Sequence, residues 1–242
     1  MAYDKVVDSE KLEQGLTKVA DAIRDKTGDA DVLSFPDGMV ESLAGASAAK
    51  LFRQHMISYC KQQEYPLYII KDGTTTLKRC GFWEYRRYWV TMPDSVTEIV
   101  HDSYGCFEGC QNVLFDKLSS NLTSIGDYAF NNCVNLALTS LPEGLTSIGN
   151  NAFYYANYMR ITEIPASVKS IGGYAFHKAF NSSSSLGFKG TLTFKGKPDS
   201  IAANVFGYNN ALKAINVPWS EGEVANAPWG FGGTINYNYT GG

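Results

Sequence analysis

The sequence predicts an α+β repeat solenoid, with short parallel strands stacked coil on coil and a small helical module at the N-terminus. Three observations predict it. Phe107, Phe130, Phe153 and Phe176 are spaced by 23 residues each. A branched aliphatic residue precedes a Phe by five positions in Leu77/Phe82, Ile125/Phe130, Ile148/Phe153, Ile171/Phe176 and Ile201/Phe206. Residues 1–45, by contrast, do not follow the repeat. A fixed period of this size marks a stacked-repeat architecture. Such a stack buries one continuous core and offers an extended surface, so it points to binding or scaffolding rather than to catalysis.

Residues 1–45 read as a helical attachment or oligomerisation module. Asp8 and Ser9 are candidate N-caps. Leu12, Leu16, Val19, Ala20 and Ile23 follow at helical spacing, and Gly28 fits a C-cap. One apolar stripe on a short helix is not stable alone in water. Leu12, Leu16, Val19 and Ile23 are therefore expected to bury against the repeats, another chain or a larger assembly. Residues 46–67 read as a connector, with Leu51, Phe52, Met56 and Tyr59 on one side of a candidate helix.

Residues 68–218 form the repeat region, about six coils. Two copies show the unit, Leu141-Pro142-Glu143-Gly144-Leu145-Thr146-Ser147-Ile148-Gly149-Asn150-Asn151-Ala152-Phe153 and Ile164-Pro165-Ala166-Ser167-Val168-Lys169-Ser170-Ile171-Gly172-Gly173-Tyr174-Ala175-Phe176. If each coil advances by one strand spacing, the stack is about 25–30 Å long. Phe fills one side of the core, each ring contributing roughly 2–3 kcal/mol of apolar transfer, and Ile and Leu fill the other. Gly126, Gly149 and Gly172 follow the Ile and are expected to supply positive φ at a tight turn. Pro ends a short strand where no ladder hydrogen bond is needed. Ile99 to Phe107 is eight residues rather than five, which implies a small insertion. Between Phe176 and Phe206 seven residues are added, around Asn181-Ser182-Ser183-Ser184-Ser185, which reads as an exposed loop. Residues 219–242 read as a C-terminal cap, because Ile235, Tyr237 and Tyr239 alternate with Asn236 and Asn238 like a strand with one apolar face.

Hydrophobic residues are 44% of the chain and charged residues 19%, so the chain is globular. A net charge of -3 argues against broad nucleic-acid binding. Lys78-Arg79 and Arg86-Arg87 interleave with Phe82, Trp83, Tyr85, Tyr88 and Trp89, but the aromatic residues fall largely in core columns and the charges on outer faces. No stretch reaches the ~20 apolar residues of a membrane span. The first residues lack the apolar core of a signal peptide, and Thr240-Gly241-Gly242 is no wall anchor, so synthesis in the cytoplasm without ordinary export is expected. An odd count of cysteines (Cys60, Cys80, Cys106, Cys110 and Cys133) then favours reduced thiols. Cys110 and Cys133 share a column with Ala156 and Ala179, and Cys106 one with Ala129, Ala152 and Ala175, so small buried side chains account for them. His55, His101 and His177 are isolated, and the carboxylates are scattered. No catalytic residue, cofactor or metal site is expected.

The repeat pattern (aliphatic-Pro, Val/Leu-Thr-x-Ile-Gly, Ala-Phe-x-x-Cys, then Leu) resembles the BspA-like class of leucine-rich repeats. A second resemblance lies in Val7-Asp8-Ser9-Glu10-Lys11-Leu12 and Ala20-Asp21-Ala22-Ile23-Arg24-Asp25-Lys26-Thr27-Gly28, followed by Phe35-Pro36-Asp37-Gly38-Met39-Val40-Glu41-Ser42-Leu43. This segment is similar to the short N-terminal module of many bacteriophage virion proteins, particularly tail-associated ones. The ending, from Asn216-Val217-Pro218-Trp219 through Tyr239, resembles such proteins too. These resemblances imply a non-enzymatic virion protein, a tail-fibre or host-adsorption component. It would contact other virion proteins through the N-terminal module and a host cell-surface glycan or protein through the repeats. A homo-oligomer, such as a trimer, is expected. A head decoration or head-fibre protein and a BspA-like bacterial surface adhesin are the alternatives.

The two positions after each Phe vary freely: Trp83-Glu84, Glu108-Gly109, Asn131-Asn132, Tyr154-Tyr155, His177-Lys178 and Gly207-Tyr208. Turns whose chemistry changes over a fixed core are where a solenoid carries recognition. Tyr154, Tyr155 and Tyr158 form an aromatic patch suited to sugar or protein surfaces. Ordinary surface variation explains the same residues. Phe130, Phe153 and Phe176 are expected to share one buried environment.

Overall fold

The structure is a computed structural model and describes residues 67–78, 88–115, 117–181 and 190–241. The N-terminal helix, the connector, the basic-aromatic cluster from Arg79 to Arg87 and the serine run lie outside these residues. The described chain is a parallel β-solenoid, and it contains no helix. The α part of the expected α+β class thus rests entirely on segments that are not described.

Six two-residue strands make one parallel sheet: β2 (Thr76–Leu77), β4 (Glu98–Ile99), β6 (Ser124–Ile125), β7 (Ser147–Ile148), β9 (Ser170–Ile171) and β11 (Ser200–Ile201). Leu77, Ile99, Ile125, Ile148, Ile171 and Ile201 align across it, all buried. Their partners at the preceding position are polar and face out, which is the period-2 alternation of a half-buried strand. A second layer has two parts. β1 (Leu67–Ile69), β3 (Tyr88–Thr91) and β5 (Val113–Phe115) form one sheet, and β8 (Glu163–Ile164), β10 (Thr191–Phe194), β12 (Ala214–Asn216) and β13 (Thr234–Asn236) form the other.

Between these layers runs the Phe column. Phe107, Phe130, Phe153, Phe176 and Phe206 are fully buried. Their rings stack with centroids 5.2, 5.3, 5.3 and 5.7 Å apart and planes within 10° of parallel. One coil rises about 4.7–4.9 Å, so the rings are displaced sideways by roughly 2 Å, the offset stacking that aromatic quadrupoles favour. Phe115 meets Phe107 and Phe130 edge-on, and Phe194 meets Phe206 in the same way. The expectation of one shared environment holds.

Two sequence expectations need correction. Gly126, Gly149 and Gly172 do not have positive φ. They are glycines because the coils approach too closely for a side chain. A Cβ on each would stand 2.8 Å from Ile99 O, 2.5 Å from Asp127 N and 2.6 Å from Asn150 N respectively. Positive φ falls instead on Tyr128, Asn151 and Tyr174 before the Phe, and on Gly109, Asn132, Tyr155, Lys178 and Tyr208 after it. Most side-chain residues there are held by backbone bonds to the next coil, such as Asn132 N to Tyr154 O at 2.7 Å and Tyr155 N to His177 O at 3.0 Å. Cys106, expected as a free thiol, is disulfide-bonded. Cys110 and Cys133 are free and buried. Burial pushes the Cys110 thiol up to about 12 and that of Cys133 well above its ordinary value.

The Pro positions behave as turns out of the second layer: Val96, Leu145 and Val168 each donate an N–H to the carbonyl of Pro93, Pro142 and Pro165. The extra residues before Phe107 form a small loop in which Asp102 and Tyr104 pair. Asn209 takes the Cys column's place in the last coil. Buried, it bonds Phe176 O, Phe206 O and Phe180 N, so its amide is satisfied.

At the C-terminal end β13 extends the second layer, with Ile235 opposite Ile215. Trp229 is fully buried, and its carbonyl accepts from Phe206 N at 3.0 Å. Asn226 Nδ2 bonds Ile201 O at 2.9 Å, which covers the last strand of the main sheet. Residues 219–239 thus satisfy edges that would otherwise invite pairing with another chain. Lys197 Nζ bonds Glu223 Oε2 at 2.7 Å, and with Ser220 N it lowers the Glu223 carboxyl to about 2.

Phe153→Ala should cost about 3–5 kcal/mol in urea-induced unfolding, since a buried ring is removed from the middle of the stack. A loss below about 1 kcal/mol would mean that the column does not hold the coils together. Glu223 has a folded value below its ordinary 4.5, so its contribution is complete above that value and is lost as pH falls through about 2. Glu223→Gln should therefore lower thermal stability at neutral pH, and its difference from the parent should shrink over that acid window.

Candidate functional site

The turn that carries each Phe also carries three outward columns. Two positions before the Phe stand Tyr128, Asn151, Tyr174 and Asn204. One position after it stand Glu108, Asn131, Tyr154, His177 and Gly207, and two positions after it Gly109, Asn132, Tyr155, Lys178 and Tyr208. Stacking places each column in line, one coil above the next. Aromatic side chains concentrate in the last three coils and form a ridge.

Tyr154 stacks on His177 with centroids 5.2 Å apart and planes 7° from parallel. Tyr155 packs against Tyr154 at 5.1 Å, and Tyr208 and Tyr174 pack against His177 at 5.2 and 5.3 Å. Lys178 Nζ lies 4.3 Å from the Tyr155 ring centroid and 5.7 Å from that of Tyr208, and it donates a bond to Tyr155 Oη. That bond, more than any other influence, raises the Lys178 ammonium above its ordinary value. The ammonium is charged at neutral pH and held between two rings.

His177 is 8% exposed, and its Nδ1 has no hydrogen-bond partner. Burial first, and the nearby Lys178 charge second, lower its imidazole below the usual range. Neutral imidazole is the form that stacks flat on Tyr154. Gly207 fits against this ring, and a Cβ there would stand 2.6 Å from Nδ1. At the tip Tyr208 is 75% exposed, the most exposed large side chain of the ridge.

Of the expected patch, Tyr154 and Tyr155 come together and Tyr158 does not join them. Tyr158 pairs through its backbone with Phe180 and is exposed. No ring contact links it to the ridge among the described residues. Five positions past the Phe the chain has already left the turn. Tyr174, His177, Lys178 and Tyr208 belong to the ridge although they were not grouped with the tyrosines. The signal was available in the column positions counted from Phe176 and Phe206. Leu12, Leu16, Val19 and Ile23, the expected attachment residues, lie outside the described residues.

Among the described residues no group of three or more His, Cys, Asp or Glu is placed to hold a metal ion, and no helix is long and apolar enough to cross a membrane. What the ridge offers is ring faces, one fixed cation and hydroxyl groups on a rigid, repeating support.

Stacked parallel coils with one aliphatic and one Phe column define a leucine-rich-repeat type of solenoid. The model of the BspA type leucine rich repeat region matches residues 75–213 in six copies. That is more than half of the chain, and the chain belongs to this family. No curated protein sequence matches it. Among solved structures it is similar to a leucine-rich repeat protein from Bacteroides ovatus ATCC 8483, at 23% identity and a TM-score of 0.47, over 62% of this chain and 39% of that one. The chain thus spans well under half the length of that neighbour.

By proton NMR, His177 should titrate below the ordinary 6.5 of an imidazole. Lys178→Gln should raise its midpoint by removing a like charge, while leaving it below the ordinary value because burial remains. An unchanged midpoint would show that the ammonium is not seated beside the ring.

Proposed function

We propose that this chain is a non-enzymatic recognition protein of a bacteriophage particle, a tail-fibre or receptor-binding component. The solenoid presents the Tyr154–Tyr208 ridge to a host cell-surface glycan or protein, and the N-terminal segment attaches it to other virion proteins. The observation that carries the recognition part is the ridge itself. In the two columns after the Phe, rings and a cation stand where the coils of Phe107 and Phe130 have Glu, Gly and Asn, over a core that does not change. The similarity of residues 7–43 to phage virion modules supports the particle. Several copies, for example a trimer, would let weak single contacts add through avidity.

A bacterial surface adhesin is the second reading. It is favoured by membership of the BspA-type family and by the Cys106 disulfide, since such bonds persist in oxidising surroundings. A head decoration protein would share the solenoid and differ in where it sits on the particle.

Purified full-length chain, at saturating concentration, should block adsorption of the particles that carry it, and Tyr208→Ala should lose that block while melting normally. Antibody labelling of intact particles separates tail from head. Secretion of the chain by bacteria that carry no phage would replace the particle reading with the adhesin one.

A further inference from the structure

The ridge has a chemical character that narrows its ligand. In the last three coils its three columns hold Asn151, Tyr174 and Asn204, then Tyr154, His177 and Gly207, then Tyr155, Lys178 and Tyr208. None of these is a carboxylate. The chain as a whole is acidic, with a net charge of -3, yet this edge carries an ammonium that no acid among the described residues pairs with. Among the described residues Lys178 has no carboxylate partner. Its contacts are the Tyr155 hydroxyl and the Tyr155 and Tyr208 rings. An ammonium has three donors, so two remain directed away from that bond. The backbone of Lys178 is held in the left-handed region at φ 56° with its N–H bonded to Gly207 O at 3.0 Å, and the Tyr155 hydroxyl and the two rings place its ammonium.

The backbone of the ridge also excludes one mode of recognition. Tyr155 N and Lys178 N are bonded to the next coil, so the turn has no free row of amides with which a peptide could pair as an added strand. What faces outward is ring surface. Tyr208 is 75% exposed, and a pyranose presents a flat C–H face of matching size. A sugar that also bears a carboxylate would meet the two unused donors of Lys178.

We infer that the ridge binds a carboxylate-bearing sugar, with Lys178 meeting the carboxylate and Tyr208 stacking on the C–H face of the ring. This deepens the recognition reading and rests on it. Protein or glycan is no longer an open pair: the ligand is an acidic saccharide.

The test uses the full chain and two probes, a hexuronic-acid oligosaccharide and the same oligosaccharide with its carboxylates reduced to alcohols. Calorimetry at low and high salt reads the affinity, and adherence of the chain to host cells is scored beside it. The uronate should bind, and carboxyl reduction, Lys178→Met or high salt should each weaken it about tenfold or more, the scale of one charged hydrogen bond. Tyr208→Ala should weaken both probes. Lys195→Met, on another face, is the control for general charge. Equal binding of the two probes, or an unchanged uronate affinity in Lys178→Met, overturns the acidic-sugar assignment and leaves surface recognition intact. If neither probe binds while Tyr208→Ala still abolishes adherence to cells, the sugar is wrong and the ridge is right. Adherence unchanged in both variants would remove the ridge from recognition altogether.

Discussion

Every other feature depends on five phenylalanine rings lying over one another at the spacing of parallel strands. That spacing is set by the backbone, and a flat ring is thin enough to fit it with a sideways offset. The period of 23 residues exists to return a ring to that place. Where the chain holds more residues, as before Phe107, the excess leaves the coil and the ring keeps its position, and Phe176 and Phe206 stack although seven residues are added between them. Aliphatic side chains on the main sheet close the other side of the core.

The ring column has a second effect at its own turn. Two residues around each of Phe130, Phe153 and Phe176, and one after each of Phe107 and Phe206, adopt left-handed backbone although most are not glycine. That conformation costs roughly 1–2 kcal/mol per residue. It persists because most of these amides, those of Gly109, Tyr128, Asn132, Asn151, Tyr155 and Lys178, bond to the neighbouring coil. The strain is thus tied to stacking, and side-chain identity is left free. Asn, Tyr and Lys occupy one and the same position in successive coils without altering the core. A rigid support with unconstrained outer positions is how a repeat can hold recognition chemistry in fixed geometry.

The core columns were legible because periodicity reports burial directly: the same side chain must return to the same place. Backbone conformation was not. A glycine in a fixed column has two explanations, left-handed φ or close approach, and only coordinates separate them. Gly126, Gly149 and Gly172 belong to the second kind. Cys106 fits its alanine column in size, so its bond to another cysteine left no trace in the pattern. For the surface, nearness in sequence misled where column position would not have. Tyr158 is close to Tyr155 along the chain and makes no ring contact with the ridge among the described residues. Tyr208 is 53 residues away and packs in the same ridge.

The backbone bonds at the Phe turn run from an earlier coil to a later one, as from Phe130 N to Ala152 O. Those flanking the main sheet run the opposite way, as from Gly149 N to Ile125 O. In an α-helix all such dipoles point alike and sum to partial charges at the ends. Here the two sets oppose each other along the stack axis. The Phe-turn bonds therefore offset part of the dipole that the sheet-flanking bonds build up along the described coils.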